Sequence, residues 1–283
     1  MATVDVLIPT HNRPLELTLT LAGVAQQTHP DLRVVVAEQS SSSVRNEPAL
    51  LTARRLIEQR GGTVEWHTRE PKHGIAEQRD FLVNRARSRY ALMLDDDIYM
   101  EPWVVERLLE ALQREGCGFV GAFPAGLSFL GDVRPQQLAK LEFWEGPVQA
   151  EQIDPHSPAW QRAEFHAAAN VRHALPDGDS GSEPRLYKVA WLGACVLYDV
   201  DKLRAVGGFS FWPELPLHHA GEEVLVQNLL LRRWGGAGML PSGTYHQEAP
   251  TTIAEEGRKP EANAIVLLPQ LLERYGPAAT DAG

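Results

Sequence analysis

Asp95, Asp96 and Asp97 stand side by side at the end of the apolar run Tyr90 to Leu94, in the stretch YALMLDDDIYMEPW. Adjacent carboxylates repel one another and Asp has low β-propensity, so the triplet needs a positive partner. An EF-hand loop is excluded: with Asp95 and Asp97 in its first and third positions, Tyr99 falls at the fifth and Met100 where the loop requires glycine. A phosphoryl-aspartate site would want acidic residues after the first strand as well, and the chain has Pro9-Thr10 there. Capping of the following helix accounts for one Asp, not three. The reading that remains is a divalent-cation site for a ligand diphosphate. Magnesium and manganese bind one or two carboxylates and complete their shells with phosphate oxygens and water. In an Asp-x-Asp at a strand end the outer carboxylates face one side, one for the cation and the other for a ribose hydroxyl.

The elements around the triplet follow from hydrophobic periodicity. Val4–Ile8, Leu32–Ala37, Thr63–His67, Tyr90–Leu94 and Gly118–Ala122 read as strands. Between them, helices are expected after Asn12 and Pro14, over Pro48–Gln59, over Ile75–Arg87 and over Trp103–Arg114. Asn12 is placed to cap the first helix and Pro14 suits its first turn. Strands alternating with helices imply parallel βαβ units in a doubly wound sheet. Ligands of such sheets bind beyond the carboxyl ends of the strands. Pro9-Thr10, Glu38 and the Asp triplet therefore share one crevice.

The second half is less regular. Phe123–Arg185 is rich in Pro, Gly and polar residues, with ALPDGDSGSEP as an expected exposed loop. Leu186–Leu192 and Cys195–Tyr198 read as strands, and GEEVLVQNLLLRRWGG as a helix stopped by Gly235-Gly236. A short strand or loop from Met239 leads to Tyr245-His246, and a last amphipathic helix is expected near Ala262–Arg274. Three divisions of one compact unit are expected: residues 1–122 as a Rossmann-like half, 123–247 as a less regular half, and 248–283 as a helical tail.

Composition narrows the partners. The 283 residues carry 27 Lys and Arg against 37 Asp and Glu, a net charge of −10, with no long basic run. Nucleic acid and anionic membrane surfaces are poor partners for such a chain. The only cysteines are Cys117 and Cys195, far apart, which fits a reducing compartment and neither a disulfide scaffold nor a zinc ribbon. No signal peptide or membrane-spanning run is apparent, so the expected location is the cytoplasm. Attachment to the inner face of a membrane would then have to be peripheral.

VDVLIPTHNRP, VVVAEQSS and HGIAEQRDFLVNRARSRYALMLDDD, in that order, resemble family 2 glycosyltransferases of the A-type fold. VGGF, GEEV at Gly221–Val224 and a late His in TYHQE extend the resemblance over roughly residues 3 to 247. It implies an α/β, GT-A-like, doubly wound and mostly parallel sheet with an elaborated C-terminal acceptor half. The implied activity is metal-dependent inverting transfer from a UDP- or GDP-sugar to the hydroxyl of a saccharide, lipid-linked or small-molecule acceptor, with Mn2+ or Mg2+ as cofactor.

The resemblance also implies roles. Pro9 and Thr10 would contact the base with help from Arg13, and Glu38 would accept a base N–H, where the family more often has Asp. Arg79 would reach the nucleotide or its phosphates, Asp95 the ribose, and Asp96 counts among the donor contacts. Asp97 and His246 would hold the metal, with His218-His219 as a second choice. Glu223 takes the place of the family's general-base Asp and is one methylene longer, so Glu222 or both together could serve. Trp191 to Ala194 could wall the donor sugar. A retaining transferase, a sugar nucleotidyltransferase and a non-catalytic binding module are the alternatives. The nucleotidyltransferase lacks its usual glycine-rich first loop, since PTHNRP contains no Gly.

Overall fold

The computed structural model describes residues 3–70, 72–175, 183–251 and 254–276. Most of the expected loop ALPDGDSGSEP lies outside the described residues. The strands are β1 (Val4–Thr10), β2 (Leu32–Glu38), β3 (Thr63–Thr68), β4 (Tyr90–Leu94), β5 (Ile98–Met100), β6 (Phe119–Gly121), β7 (Ala125–Gly126), β8 (Arg185–Tyr187), β9 (Cys195–Asp199), β10 (Gly236–Leu240) and β11 (Thr244–His246). The α-helices are α1 (Pro14–Ala25), α2 (Pro48–Gln59), α3 (Ile75–Arg85), α4 (Val104–Glu115), α5 (Pro135–Leu138), α6 (Asn170–His173), α7 (Val200–Ala205), α8 (Glu222–Trp234) and α9 (Leu268–Tyr275).

Eight strands form one sheet in the order β3-β2-β1-β4-β9-β6-β10-β8. Pairings β1–β2, β1–β4, β2–β3 and β6–β10 are parallel, whereas β9 runs antiparallel to β4 and β6, and β8 to β10. This is the α/β, mostly parallel architecture expected from the sequence. The inner strands β1, β2 and β4 are covered on both faces, which is why they read as nearly unbroken apolar runs. Asp5 is the exception inside β1. Its buried carboxylate pairs with Arg33 at 3.1 Å and accepts from the N–H groups of Arg87 and Ser88 at 2.6 and 2.9 Å, tying the start of β1 to the α3–β4 turn.

Register brings the site together. Thr10 lies opposite Glu38 and Leu7 opposite Met93, so β1, β2 and β4 end on the same edge. Leu94 lies opposite Cys195, and the Asp95 N–H donates to the Ala194 carbonyl at 2.8 Å. A second sheet, β5-β11-β7, pairs Ile98 with His246 antiparallel. The residue after the triplet is thereby set beside the late histidine.

Three local expectations are corrected. Asn12 does not cap α1: Arg13 holds the cap position, and the Asn12 side chain accepts instead from the Ser41 N–H at 3.0 Å. The strand expected over Leu186–Leu192 is only Arg185–Tyr187, because the chain then leaves the sheet and Leu192 is held by the Gln227 side chain through both its N–H and its carbonyl. The last helix begins at Leu268, not Ala262. Pro269 in its first turn has no N–H to bond a carbonyl one turn earlier, so residues 264–267 wind as a tighter 3-10 turn.

Candidate active site

A cleft of about 650 Å³ opens at the carboxyl ends of β1 and β4. Pro9, Thr10, Arg13, Arg79, Asp95, Asp96, Asp97, Glu222, Glu223 and His246 all line it. Two arginines supply the counter-charge the triplet needs. Arg13 Nη1 donates to Asp96 Oδ1 at 2.9 Å and to Asp97 Oδ2 at 2.7 Å, while its Nη2 donates to the Pro250 carbonyl at 2.5 Å. Arg79 Nη2 donates to Asp95 Oδ1 at 3.0 Å. Asp96 points inward, accepts from the Thr10 hydroxyl at 2.7 Å, and offers its carbonyl to the Thr20 hydroxyl at 2.9 Å. Burial pushes its carboxyl up to about 6 against the pull of Thr10 and Arg13. Asp97 is raised as well, by burial first and then by the Asp95 charge.

Glu222 and Glu223 enter the cleft from the opposite side, in the first turn of α8, where the helix dipole favours negative charge. Gly221 precedes them with φ +81, and an added Cβ there would stand 2.2 Å from Asn263 Oδ1. Both carboxylates turn to the guanidinium that holds Asp95. Arg79 Nη1 lies 2.6 Å from Glu223 Oε1, and Arg79 Nε lies 3.0 Å from Glu222 Oε1. Burial raises the Glu223 carboxyl to about 8, with Asp95 and Glu222 adding to the rise and Arg79 opposing it.

Residues that could hold a divalent cation are few. Among the described residues no three His, Cys, Asp or Glu side chains converge as a ready-made cage. Asp97 Oδ2 and His246 Nε2 do approach within 3.6 Å. One carboxylate and one imidazole suit manganese or magnesium when a diphosphate and water complete the shell, so the pair fits as the protein's share of such a site. Two contacts must yield first. Arg13 sits on the same Asp97 oxygen, and His246 Nδ1 accepts from the Glu248 N–H at 2.7 Å, which places the ring proton on Nε2.

Glu38 is not among the residues that line the cleft. Its carboxylate is buried and accepts from the Val44 N–H at 2.6 Å, Trp66 Nε1 at 2.8 Å and the Ser43 hydroxyl at 2.8 Å. Burial works against its charge, but these donors hold the carboxyl below its ordinary value. It braces the β2 end and its loop. His219 is also internal: Nε2 accepts from the Ala76 N–H at the start of α3 at 3.1 Å, and Nδ1 bonds the Pro216 carbonyl at 2.7 Å. Gly74 at φ +91 makes room for it, since a Cβ would stand 2.6 Å from the ring.

Sequence reasoning missed His11, Gln39, Lys72 and Asn263, all on the cleft wall. Lys72 Nζ lies 2.8 Å from His11 Nε2. A signal existed: Lys72 follows β3, and the loop after every parallel strand of such a sheet is a place to search for ligand contacts.

The comparisons with known proteins agree with this architecture. No curated protein matches the chain. Among solved structures, S. aureus TarS superposes with a TM-score of 0.57 at 15% identity, covering 88% of this chain and 37% of its own. TarS 1-349 in complex with UDP-GlcNAc gives 0.57 at 14% identity over 89% of this chain and 60% of that one. Mannosyltransferase PcManGT from Pyrobaculum calidifontis, in complex with GDP-Man and Mn2+, gives 0.53 at 15% identity over 89% and 59%. The chain thus matches 37% to 60% of the length of these structures, and at such identities the likeness is one of fold. Among the described residues no helix is long and apolar enough to cross a membrane. The sequence signature of glycosyl transferase family 2 matches residues 5–169, more than half the chain, and the chain belongs to that family.

Proposed function

We propose that the chain transfers a sugar from a nucleoside-diphosphate sugar to an acceptor hydroxyl with inversion at the anomeric carbon, and works in the cytoplasm. The observation that carries this reading is two sets of carboxylates facing one cleft, Asp95–Asp97 after β4 and Glu222–Glu223 at the start of α8. The first set suits a nucleotide with a cation, and the second suits an acceptor that must lose a proton. Residues 1–122 would handle the nucleotide and 123–247 the acceptor and the chemistry, while Ala249, Ala254 and Asn263 of the 248–283 tail line the cleft. Asp95 would contact the ribose, and Pro9, Thr10 and Arg13 the base side of the donor. Asp97 and His246 would hold manganese or magnesium together with the diphosphate. When bound, that cation would supply Lewis-acid stabilisation of the leaving group.

Glu223 is the general base of this proposal. A buried carboxylate accepts the acceptor's proton more readily than a solvated one, because burial raises its affinity for protons. Trp191 on the cleft wall and Gly193, where an added Cβ would lie 3.4 Å from Glu223 Oε2, would exclude water from the donor sugar. UDP and GDP are the nucleotides to try first, since the neighbouring structures carry UDP-GlcNAc and GDP-Man.

Isothermal calorimetry of UDP and GDP, with and without manganese, tests the donor site. Manganese-dependent binding of one nucleotide is expected, weakened at least tenfold (about 1.4 kcal/mol) in Asp97→Ala. Absence of binding to the unmodified protein under every metal condition would sink the reading.

A further inference from the structure

We propose, on the strength of that reading, that Arg79 is the positioning residue of the reaction: its buried guanidinium locks Asp95, Glu222 and Glu223 into one rigid unit, which sets the base at a fixed distance from the donor. This differs from the part the sequence resemblance implies, a direct hold on the nucleotide or its phosphates. The geometry leaves little of the fork for a ligand. Nη2 donates to Asp95 at 3.0 Å, while Nε and Nη1 are buried and stand at ion-pair distance, without hydrogen-bond geometry, from Glu222 at 3.0 Å and Glu223 at 2.6 Å. The Arg79 side chain is 5% exposed, against 33% for Asp95, so the carboxylate looks into the cleft and the arginine stands behind it.

The three partners come from two separate elements, the turn after β4 and the first turn of α8, and Arg79 itself comes from a third, α3. No backbone hydrogen bond need tie these elements for the side chains to be in register, because one buried planar guanidinium stands at ion-pair distance from all three carboxylates at once. A lysine cannot reproduce that. Other groups facing Glu223 add no competing cation: Tyr198 and Cys195 of β9 approach it, and both are held protonated by burial. The one guanidinium therefore decides where the base carboxylate lies and how strongly it holds its charge.

The test separates positioning from ligand contact. Nucleotide affinity is measured by calorimetry with UDP and GDP in the presence of manganese, and turnover by nucleotide release from UDP-GlcNAc and GDP-Man, for the unmodified protein, Arg79→Lys and Arg79→Met. Thermal unfolding identifies any variant that fails to fold, and Arg79→Lys keeps a charge among the carboxylates if Arg79→Met does not survive. The expected result for Arg79→Lys is a nucleotide Kd within about threefold of the unmodified protein and a kcat lowered by about 100-fold, the cost of a small misplacement of reacting groups. A Kd raised tenfold or more, or a kcat left unchanged, overturns the proposal. If neither donor is turned over, carboxyl 13C resonances of Glu223 followed against pH take the place of kcat. Their midpoint should rise in Arg79→Lys, and an unmoved midpoint overturns the proposal. Failure of the unmodified protein to bind any nucleotide is a different outcome, and counts against the donor-site reading itself.

Discussion

At the scale of single residues the acidic pair poses a choice that sequence leaves open, because Glu223 stands one methylene longer than the Asp of the family pattern and Glu222 lies beside it. The structure distinguishes them by surroundings. Glu223 Oε2 faces Gly193, where an added Cβ would lie 3.4 Å away, so one oxygen looks toward the 191–194 wall while the other meets Arg79. Glu222 is set by the Nε side of the same guanidinium. Glu223→Gln should therefore lower kcat by about 10²–10⁴-fold, the usual contribution of general-base catalysis, with nucleotide affinity unchanged, and Glu222→Gln should lower it less. The pH dependence has a definite sign. A general base works only when ionised, so the rate climbs as pH rises through its pKa. Burial, with Asp95 and Glu222 adding their charges, moves that carboxyl from 4.5 to about 8, and the acid limb of the rate profile should lie far above the ordinary carboxylate range. A limb near 4 to 5 in steady-state measurements would remove Glu223 from the role.

At the scale of elements, the catalytic end of α8 depends on the chain's last segment. Ala220 bridges to Asn263, the Ala264 N–H donates to the Ala220 carbonyl at 2.8 Å, and Gly221 faces Asn263 in a left-handed conformation. Gly221→Ala meets two penalties: about 1–2 kcal/mol for an L residue in that conformation, and overlap of its methyl with Asn263 Oδ1. Asn263→Ala removes the overlap but forfeits the bond its Oδ1 accepts from Ile265 N–H. The double variant should accordingly be more stable than the sum of the two singles implies, by roughly 1 kcal/mol in thermal or urea unfolding; strict additivity would show that the two residues do not interact. How much of this was legible follows element by element. The β1–α4 half reads cleanly because its strands are buried on both faces and its helices carry their own stops, so local pattern and tertiary role coincide. The described residues of 123–185 do not, because their short turns are held by distant partners. Arg162, for instance, is chelated by Glu142 at 3.1 Å and by Glu151 at 3.1 Å, pairings that no local period announces. Glu38 shows the same limit at the site. Position in sequence placed it at a strand end facing ligand, and only the fold reveals that Trp66, Ser43 and Val44 enclose it.

At the scale of the whole molecule, charge sets how a donor enters. The chain carries a net −10, and the cleft wall adds Asp95, Asp96, Asp97 and Glu222 against Arg13, Lys72 and Arg79, with Glu223 joining the acids as pH rises through about 8. A nucleoside diphosphate is itself an anion, so without a divalent cation it approaches a like-charged wall inside a like-charged protein. The Debye length falls from about 10 Å at 0.1 M salt to about 3 Å at 1 M, which screens that repulsion while leaving short contacts intact. Nucleotide affinity measured without a divalent cation should therefore improve as salt is raised. With saturating manganese the order should reverse, because the cation converts the Asp97 side of the cleft into an attractive site that added salt weakens. A chain that instead used Arg13 and Lys72 as its phosphate cradle would lose affinity with salt under both conditions. Calorimetric titrations of one nucleotide at three salt concentrations, with and without manganese, distinguish the two patterns by the sign of the slope alone. Arg13→Gln sharpens the comparison. Its loss uncovers Asp97 and deepens the negative wall, so the metal-free slope should steepen, while the loss of a proposed donor contact should lower the manganese-dependent affinity.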